Sequence, residues 1–309
     1  MKLFDLHCDT ITECYKRKAS LRENELNISL LKGENIENWC QLYAIWMPNE
    51  YRGDDAVQYY ENIRSFYISE INVNKDRIFF CKNYADMVNT FTDKKHAAVL
   101  TVEGGAAAAG DISRIYKMHQ DGVRLMTLTW NGSCEIACGS DVEGGKGLTD
   151  FGKEAVSLME ELGMIVDVSH INDIGFYDVA KIANKPFIAT HSNSREVYPH
   201  RRNLTDDQFK IIRDNGGLVG LNFYNAFLGE NCKNGREGIL RHLYHFLELG
   251  GENTVAIGSD FDGADMFDDL SDITKIESLY NYLIYRGIDK NTVDKVFYQN
   301  AMNYFKRVL

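Results

Sequence analysis

The chain has 309 residues and a formal net charge of −11, from 34 Lys and Arg residues against 45 Asp and Glu residues. This is the composition of an ordinary globular protein, and the length accommodates a single α/β barrel of about 250 residues. The acidic balance argues against a protein that binds nucleic acid through a basic face. It also argues against a polybasic protein that binds membrane surfaces.

Apolar segments and cysteines indicate the cellular location of the protein. No apolar run approaches the roughly 18 residues that are needed to span a bilayer. The first residues, Met1–His7, carry charge where a secretory signal needs a longer apolar stretch. The seven cysteines are an odd number and are scattered along the chain, which is typical of buried, reduced thiols. We therefore expect a cytoplasmic protein that has no membrane partner.

Short apolar runs alternate along the chain with longer segments of helical periodicity, an order that is typical of a parallel sheet. No linker or charge block marks a domain boundary, so residues 1–309 are predicted to form one barrel domain. Eight runs are predicted as strands: Leu3–Cys8, Gln41–Met47, Ala97–Val102, Val123–Thr129, Met164–Ser169, Phe187–Thr190, Gly217–Asn222 and Val255–Ser259. The clearest helical segments are Ala56–Glu70, Phe151–Leu162, Leu240–Leu249 and Asp289–Leu309.

Eight strand–helix units predict an α/β fold, a (β/α)8 TIM barrel with the active site at the C-terminal ends of the strands. A doubly wound open sheet is the alternative, because the number of strands does not prove that the sheet closes.

Metal-binding side chains follow five of the predicted strands at their carboxyl-terminal ends. In a barrel these ends meet at one mouth. A single His at such a position is more often structural, but three of the chain's eight His residues fall there together with three carboxylates. Imidazole and carboxylate ligands suit Zn²⁺ and its neighbours in the first transition row. The residues are His7, Asp9, Glu103, His170, His191 and Asp260.

Strand geometry allows these residues to hold two ions. Side chains alternate between the two faces of a strand, so His7 and Asp9 point the same way and can bind one ion together. Two further imidazoles and another carboxylate could hold a second ion, with one carboxylate bridging the pair. Two metal ions about 3.5–4 Å apart can share a hydroxide and polarise a carbonyl.

Seven short motifs follow one another between residues 4 and 263. They are Phe4–Thr10, Val102–Gly105, Gly147–Gly152, Leu162–His170, Ala189–Ser192, Arg201–Asn203 and Ile257–Gly263. In this order the set resembles the renal (membrane) dipeptidase family of zinc metallopeptidases, within the amidohydrolase-like metal-dependent hydrolases. The resemblance implies hydrolysis of small dipeptides, including those with a C-terminal D-residue, by a hydroxide that bridges two zinc ions. It also implies a homodimer.

The resemblance implies a metal-binding role for five residues. His7 and Asp9 would bind one zinc ion, His170 and His191 would bind the other, and Glu103 would bridge the two. Other divalent transition metals are compatible with the same ligands.

The resemblance also implies two roles in catalysis and substrate binding. Asp260 would sit beside the bridging water and handle its proton. Arg202 would bind the free carboxylate of the substrate, which the planar guanidinium can do with two parallel hydrogen bonds. Without the resemblance, the sequence favours a surface arginine beside Arg201 over a substrate-binding role for Arg202.

The chain departs from the family after the fourth predicted strand. Family members such as the mammalian enzyme carry a His there that contacts the substrate and the developing oxyanion. In this chain Trp130 and Asn131 follow Thr129 instead. We expect Trp130 to shape the wall of the substrate pocket and Asn131 to donate a hydrogen bond to the oxyanion. Losing one such donor typically lowers turnover about 10²–10³-fold.

This departure leaves other functions open. One alternative is a barrel hydrolase that acts on a cyclic amide, a lactone or an N-acyl amino acid. Another is a metal-stabilised barrel that only binds a partner, which the intact set of ligand positions disfavours.

Overall fold

Parallel strands and the helices between them make up most of the chain, and the structure, a computed structural model, describes residues 1–230 and 232–309. The strands are β1 (Leu3–Cys8), β2 (Trp39–Trp46), β3 (Ile78–Phe80), β4 (His96–Glu103), β5 (Val123–Thr127), β6 (Ile165–Asp167), β7 (Val219–Leu221) and β8 (Val255–Ile257). The α-helices are Thr10–Arg17, Gly53–Val73, Tyr84–Thr92, Ile112–Asp121, Asp150–Leu162, Asp173–Ile182, Asp206–Asp214, Asn225–Leu228, Gly235–Glu248, Ile276–Tyr285, Lys290–Asp294 and Asn300–Val308.

The strands form a ring rather than an open sheet. Hydrogen bonds connect them in the order β6–β5–β4–β2–β1–β8–β7. The gap between β7 and β6 is filled by residues 187–190. There Ile188 pairs in parallel with Asp167 of β6, and Ala189 pairs in parallel with Val219 of β7. This segment completes the predicted (β/α)8 barrel, so the doubly wound alternative is wrong.

Two details of the secondary structure differ from the prediction. The short strand β3 was not predicted; nearly half of the surface of its Phe79 is exposed, so it lacks the buried apolar run of the barrel strands. It pairs with the first half of β4 and lies outside the ring. The last predicted helix is interrupted by a π-helical turn over Lys295–Gln299, between the helices Lys290–Asp294 and Asn300–Val308.

The lower half of the barrel interior is filled with apolar side chains, which leaves polar chemistry to the opposite end. This inner cluster takes Phe4 and Leu6 from β1, and Phe305 of the C-terminal helix closes it from below, with its ring centroid 4.7 Å from that of Phe4. The register of β1 against β2 shifts between Asp5 and Cys8. Such a shift reverses the facing of the residues beyond it, so His7 points inward at the mouth.

Close approach of three strands near the mouth depends on two glycines. A Cβ atom on Gly258 would lie 1.7 Å from the carbonyl oxygen of Thr190, and one on Gly220 would lie 1.8 Å from the same oxygen. The strand end that carries Thr190 is therefore packed directly on the backbones of β7 and β8.

Replacing Gly258 with alanine should destabilise the barrel strongly. Because the new methyl group would overlap a backbone oxygen that cannot rotate away, we expect a loss of about 3 kcal/mol or more in the free energy of unfolding. Gly287→Ala is the control, since Gly287 has a φ of +94° but no atom within 4 Å of the added Cβ. It should lose only the left-handed backbone strain of about 1–2 kcal/mol. Urea unfolding would measure both, and equal losses would contradict the packing argument.

No helix within residues 1–230 and 232–309 is both long enough and apolar enough to cross a bilayer. All seven cysteines are free thiols.

Candidate metal centre

The barrel mouth brings together six side chains that are far apart in the sequence. Each follows or ends a barrel strand, and each is nearly inaccessible to solvent, with between 0% and 8% of its surface exposed. Three groups of metal-ligating atoms occur among them, and the atoms of each group lie within 4.8 Å of one another. The groups are His7–Asp9–Glu103, Glu103–His170–His191 and His7–His191–Asp260.

One carboxylate oxygen of Glu103 faces two imidazoles. Its Oε1 lies 2.8 Å from Nε2 of His170 and 3.5 Å from Nε2 of His191. The two Nε2 atoms are themselves 2.8 Å apart. These three atoms converge on one small volume.

The other oxygen of Glu103 faces the opposite half of the site. Its Oε2 lies 3.6 Å from Nε2 of His7. That nitrogen is also 3.7 Å from Oδ2 of Asp9 and 3.7 Å from Oδ1 of Asp260. The structure thus gathers all six residues that the sequence singled out.

The backbone is left-handed at two of these residues. The φ angle is +68° at His170 and +63° at Asp260. Residues other than glycine rarely adopt this conformation, and such backbone strain concentrates at functional sites. At both positions the strand has just ended, and the unusual turn directs the side chain into the mouth.

Burial and charge shift the protonation of the site in opposite directions. Burial alone would lower the pKa of His7, but the carboxylates of Glu103, Asp9 and Asp260 together raise it to about 10. Burial raises the pKa of Glu103 well above its usual range, and it also raises the pKa of Asp260. Without a cation, these carboxylates are therefore hard to ionise together.

The other two imidazoles remain uncharged. Burial lowers the pKa of His170 well below its usual range, and the nearby Arg202 and His7 lower it further. Burial likewise lowers the pKa of His191. Neutral imidazole is the form that binds metal ions.

These residues fit a divalent transition metal. Both ring nitrogens of His7 and Oδ1 of Asp9 are buried and have no hydrogen-bond partner. Unsatisfied buried polar atoms are unfavourable, and coordination of a cation would satisfy them. The donor set of imidazole nitrogens and carboxylate oxygens is the one that zinc and similar metals take in proteins.

A cavity of about 660 Å³ opens above the metal-binding residues. The structure places Trp130 in its wall, where the ring packs edge-on against Trp46 with the centroids 4.9 Å apart. Tyr224 and Phe227 also line it. The volume suits a small ligand rather than a folded partner.

The side chain of Asn131 contacts a candidate metal ligand. Its Oδ1 lies 2.7 Å from Nδ1 of His170, and the residue also lines the cavity. The side-chain oxygen is therefore engaged with the ring, and the expected hydrogen bond from the amide nitrogen to an oxyanion stays a prediction.

Arg202 does not itself line the cavity but lies against Phe227, which does, and only 5% of its surface is exposed. Its guanidinium carbon lies 5.6 Å from the ring centroid of Phe227, and one terminal nitrogen is 3.5 Å from the carbonyl oxygen of His191. Nε has no partner. Among the described residues, no carboxylate lies within 4.0 Å of the guanidinium. Burial lowers the pKa of Arg202 to about 10, so the side chain is a charged group that lacks a counterion at neutral pH.

The sequence analysis missed Asn222, which contacts the predicted proton carrier. Nδ2 of Asn222 donates a hydrogen bond of 2.9 Å to Oδ2 of Asp260. Asn222 is the last residue of a predicted strand, so the rule that found the other residues could have found it. It was overlooked because an amide neither titrates nor commonly binds transition metals.

A (β/α)8 barrel that gathers buried imidazoles and carboxylates at the carboxyl-terminal ends of its strands has the architecture and the ligand set of a metal-dependent enzyme. The comparisons with known proteins agree with this class. The sequence matches the membrane dipeptidase family (peptidase family M19) over residues 1–309, and the chain belongs to that family.

Relatives cover most or all of the chain. The chain is 36% identical over 244 residues to the uncharacterized protein in the pqqA 5′ region of Klebsiella pneumoniae, across 75% of this chain and 89% of that protein. Two solved structures superpose on the whole chain with TM-scores of 0.93. One is dipeptidase AC, a metallopeptidase of family M19, at 27% identity and 98% coverage of its chain. The other is a metallopeptidase from Rhodobacter sphaeroides liganded with a phosphinate mimic of L-Ala-D-Ala, at 26% identity and 99% coverage. This chain is therefore a metallodipeptidase, a hydrolase of peptide bonds.

Proposed function

We propose that the enzyme hydrolyses small dipeptides at a centre that holds two zinc ions. His7 and Asp9 would hold one ion, His170 and His191 would hold the other, and Glu103 would contact both. The single observation that carries this proposal is the division of the Glu103 carboxylate, whose Oε1 faces His170 at 2.8 Å while its Oε2 faces His7 at 3.6 Å. A carboxylate in this position can contact two cations at once.

The residues around the metal ligands have separate tasks in this proposal. When bound, the ions supply Lewis acidity that polarises the peptide carbonyl and acidifies water. Asp260 holds a proton from that water and passes it to the leaving amine. Its Oδ2 is held by Asn222, and its Oδ1 faces the metal-binding residues. Arg202 pairs with the free carboxylate of the substrate, which would supply the counterion that it lacks.

The substrate class follows from the cavity and from one relative. A pocket that has the buried guanidinium of Arg202 behind one lining residue, Phe227, suits a ligand that carries a terminal carboxylate within one residue of the scissile bond. The relative from Rhodobacter sphaeroides holds a mimic of L-Ala-D-Ala. This supports tolerance of a C-terminal D-residue here. No contact in the described part of the chain favours a cyclic amide, a lactone or an N-acyl amino acid instead. A cytoplasmic location and a homodimer stay predictions.

Removal of metal should abolish activity and lower stability. We expect the purified protein to contain about two zinc ions per chain, and a strong chelator should remove turnover of L,L- and L,D-dipeptides together. The melting temperature should fall as well, because the ions bind the folded protein more tightly than the unfolded chain. Added Zn²⁺ should restore both properties. N-acyl amino acids and lactones serve as control substrates. Full dipeptide turnover by metal-free protein would overturn the proposal.

A further inference from the structure

The imidazoles of His170 and His191 each make a hydrogen bond to the protein through the ring nitrogen that faces away from Glu103. In both rings Nε2 points to Glu103, and Nδ1 makes a hydrogen bond to a polar side chain. The chemistry of those two partners decides which ring nitrogen carries the proton.

Thr190 holds the ring of His191. Its Oγ1 lies 2.8 Å from Nδ1 of His191 and 2.6 Å from Oδ2 of Asp167. Asp167 is fully buried and also accepts hydrogen bonds from the Thr127 hydroxyl at 2.5 Å and from the backbone N–H groups of Ser169 and Thr190, each at 2.9 Å. A hydroxyl has one proton. Because Thr190 donates that proton to Asp167, its oxygen accepts from Nδ1–H of His191.

Asn131 holds the ring of His170 in the same tautomer. Its Oδ1 lies 2.7 Å from Nδ1 of His170. An amide oxygen can only accept, so Nδ1 of His170 is the donor. Neither ring therefore carries a proton on Nε2.

As a result, three hydrogen-bond acceptors that carry no proton lie close together. The two Nε2 atoms lie 2.8 Å apart, next to Oε1 of Glu103, and neither ring N–H can supply a proton between them. Two lone pairs and a carboxylate oxygen at this separation repel one another, and a bound cation would relieve that repulsion.

The half of the site around His7 has no comparable hydrogen bonds to fix the orientation and tautomer of its ligands. Nδ1 of His7 has no hydrogen-bond partner, and neither does Oδ1 of Asp9. No side chain in the described part of the chain selects the tautomer of His7. A ligand that must be oriented when the metal arrives binds less tightly than one that is already fixed.

We propose that Thr190 and Asn131 are positioning residues that hold His191 and His170 in the Nδ1–H tautomer, so that the Glu103–His170–His191 cluster fills with a divalent metal ion before the His7–Asp9 half does. The inference rests on the proposed two-metal function. It assigns different affinities to the two positions and gives Asn131 a role in holding a metal ligand.

Titration of Zn²⁺ into the metal-free full-length protein, with a competing chelator, tests the order of filling. Wild type should bind one ion tightly and a second more weakly. Thr190→Val and Asn131→Leu should weaken the tight phase by about 10–100-fold and leave the weak phase close to wild type. Thr190→Ser retains the hydroxyl and should bind like wild type. Asn131→Asp retains an acceptor that is also negatively charged, and it should bind the tight ion at least as strongly as wild type does.

Thr129→Val is the matched control, because the Thr129 hydroxyl is also buried near the mouth but has no hydrogen-bond partner. It should leave both phases unchanged. Nitrogen-15 spectra of histidine-labelled metal-free wild type provide a second readout and should show the Nδ1–H tautomer for His170 and His191. This readout decides the question even if Thr190→Val fails to fold.

Equal affinity for both ions, wild-type binding by Thr190→Val and Asn131→Leu, or an Nε2–H tautomer at either ring would overturn the inference and leave the dipeptidase proposal standing. A protein that binds no Zn²⁺ and cleaves no dipeptide would instead remove the proposed function itself.

Discussion

Asp260→Asn should lower kcat for dipeptides by about 10²–10⁴-fold, the usual contribution of a positioned proton carrier. The substitution keeps the size of the side chain and an oxygen that can still accept the hydrogen bond from Asn222. It removes the group that takes and returns a proton. Turnover should therefore fall while the bound zinc and the melting temperature stay near wild type.

Asparagine is the appropriate replacement because of the backbone at this position. Asp260 has a φ of +63°, and Asn tolerates that left-handed conformation better than most residues do. Alanine would add backbone strain, so a lower kcat could then result from a changed structure rather than from the missing proton carrier. Steady-state kinetics with metal analysis of the same preparation would measure the effect.

Asp268→Asn provides a matched control, since Asp268 is an exposed carboxylate in the short 3₁₀ helix Asp268–Leu270 that follows β8. It should have wild-type kinetics. Unchanged kcat in Asp260→Asn, with zinc retained, would show that another group carries the proton.

Arg202→Met should raise KM for free dipeptides far more than it changes hydrolysis of C-terminally amidated dipeptides. Two charge-assisted hydrogen bonds to a carboxylate contribute about 2–4 kcal/mol, which corresponds to a loss of about 30- to 1,000-fold in kcat/KM. The amidated substrate has no charge to pair with the guanidinium, so it should lose much less. The ratio of the two losses measures carboxylate recognition directly.

The stability of this variant gives an independent check. In the unliganded protein Arg202 is a buried cation without a carboxylate within 4.0 Å among the described residues. Replacing an unpaired buried charge with an apolar side chain of similar length should leave the melting temperature unchanged or raise it.

The neighbouring Arg201 supplies the control variant. More than half of its side chain is exposed, and its nearest carboxylate is that of Asp141 at 3.7 Å. Arg201→Met should leave KM for both substrates near wild type. Equal losses on free and amidated dipeptides in Arg202→Met would argue that Arg202 shapes the pocket rather than binds the carboxylate.

The sequence predicted the barrel and the six residues at its mouth for a simple reason. Strand order and strand ends are encoded locally, and a parallel barrel always brings those ends together. Once a barrel was predicted, His7 of the first strand and Asp260 after the last could be placed at one site. The closure of the ring was harder to predict from the sequence, because residues 187–190 join their neighbours by isolated bridges rather than by a long apolar strand.

The amino-acid sequence by itself determined which ligands the centre contains, because imidazole and carboxylate chemistry belongs to each residue wherever it lies. Only the tertiary structure decided how those ligands are held. Asn131 contacts a ring 39 positions away, and Asn222 contacts a carboxylate 38 positions away. Thr190 donates its hydroxyl proton to Asp167, so it accepts a hydrogen bond from Nδ1–H of His191. A hydrogen bond has a direction that depends on both partners, and those partners meet only when the barrel closes.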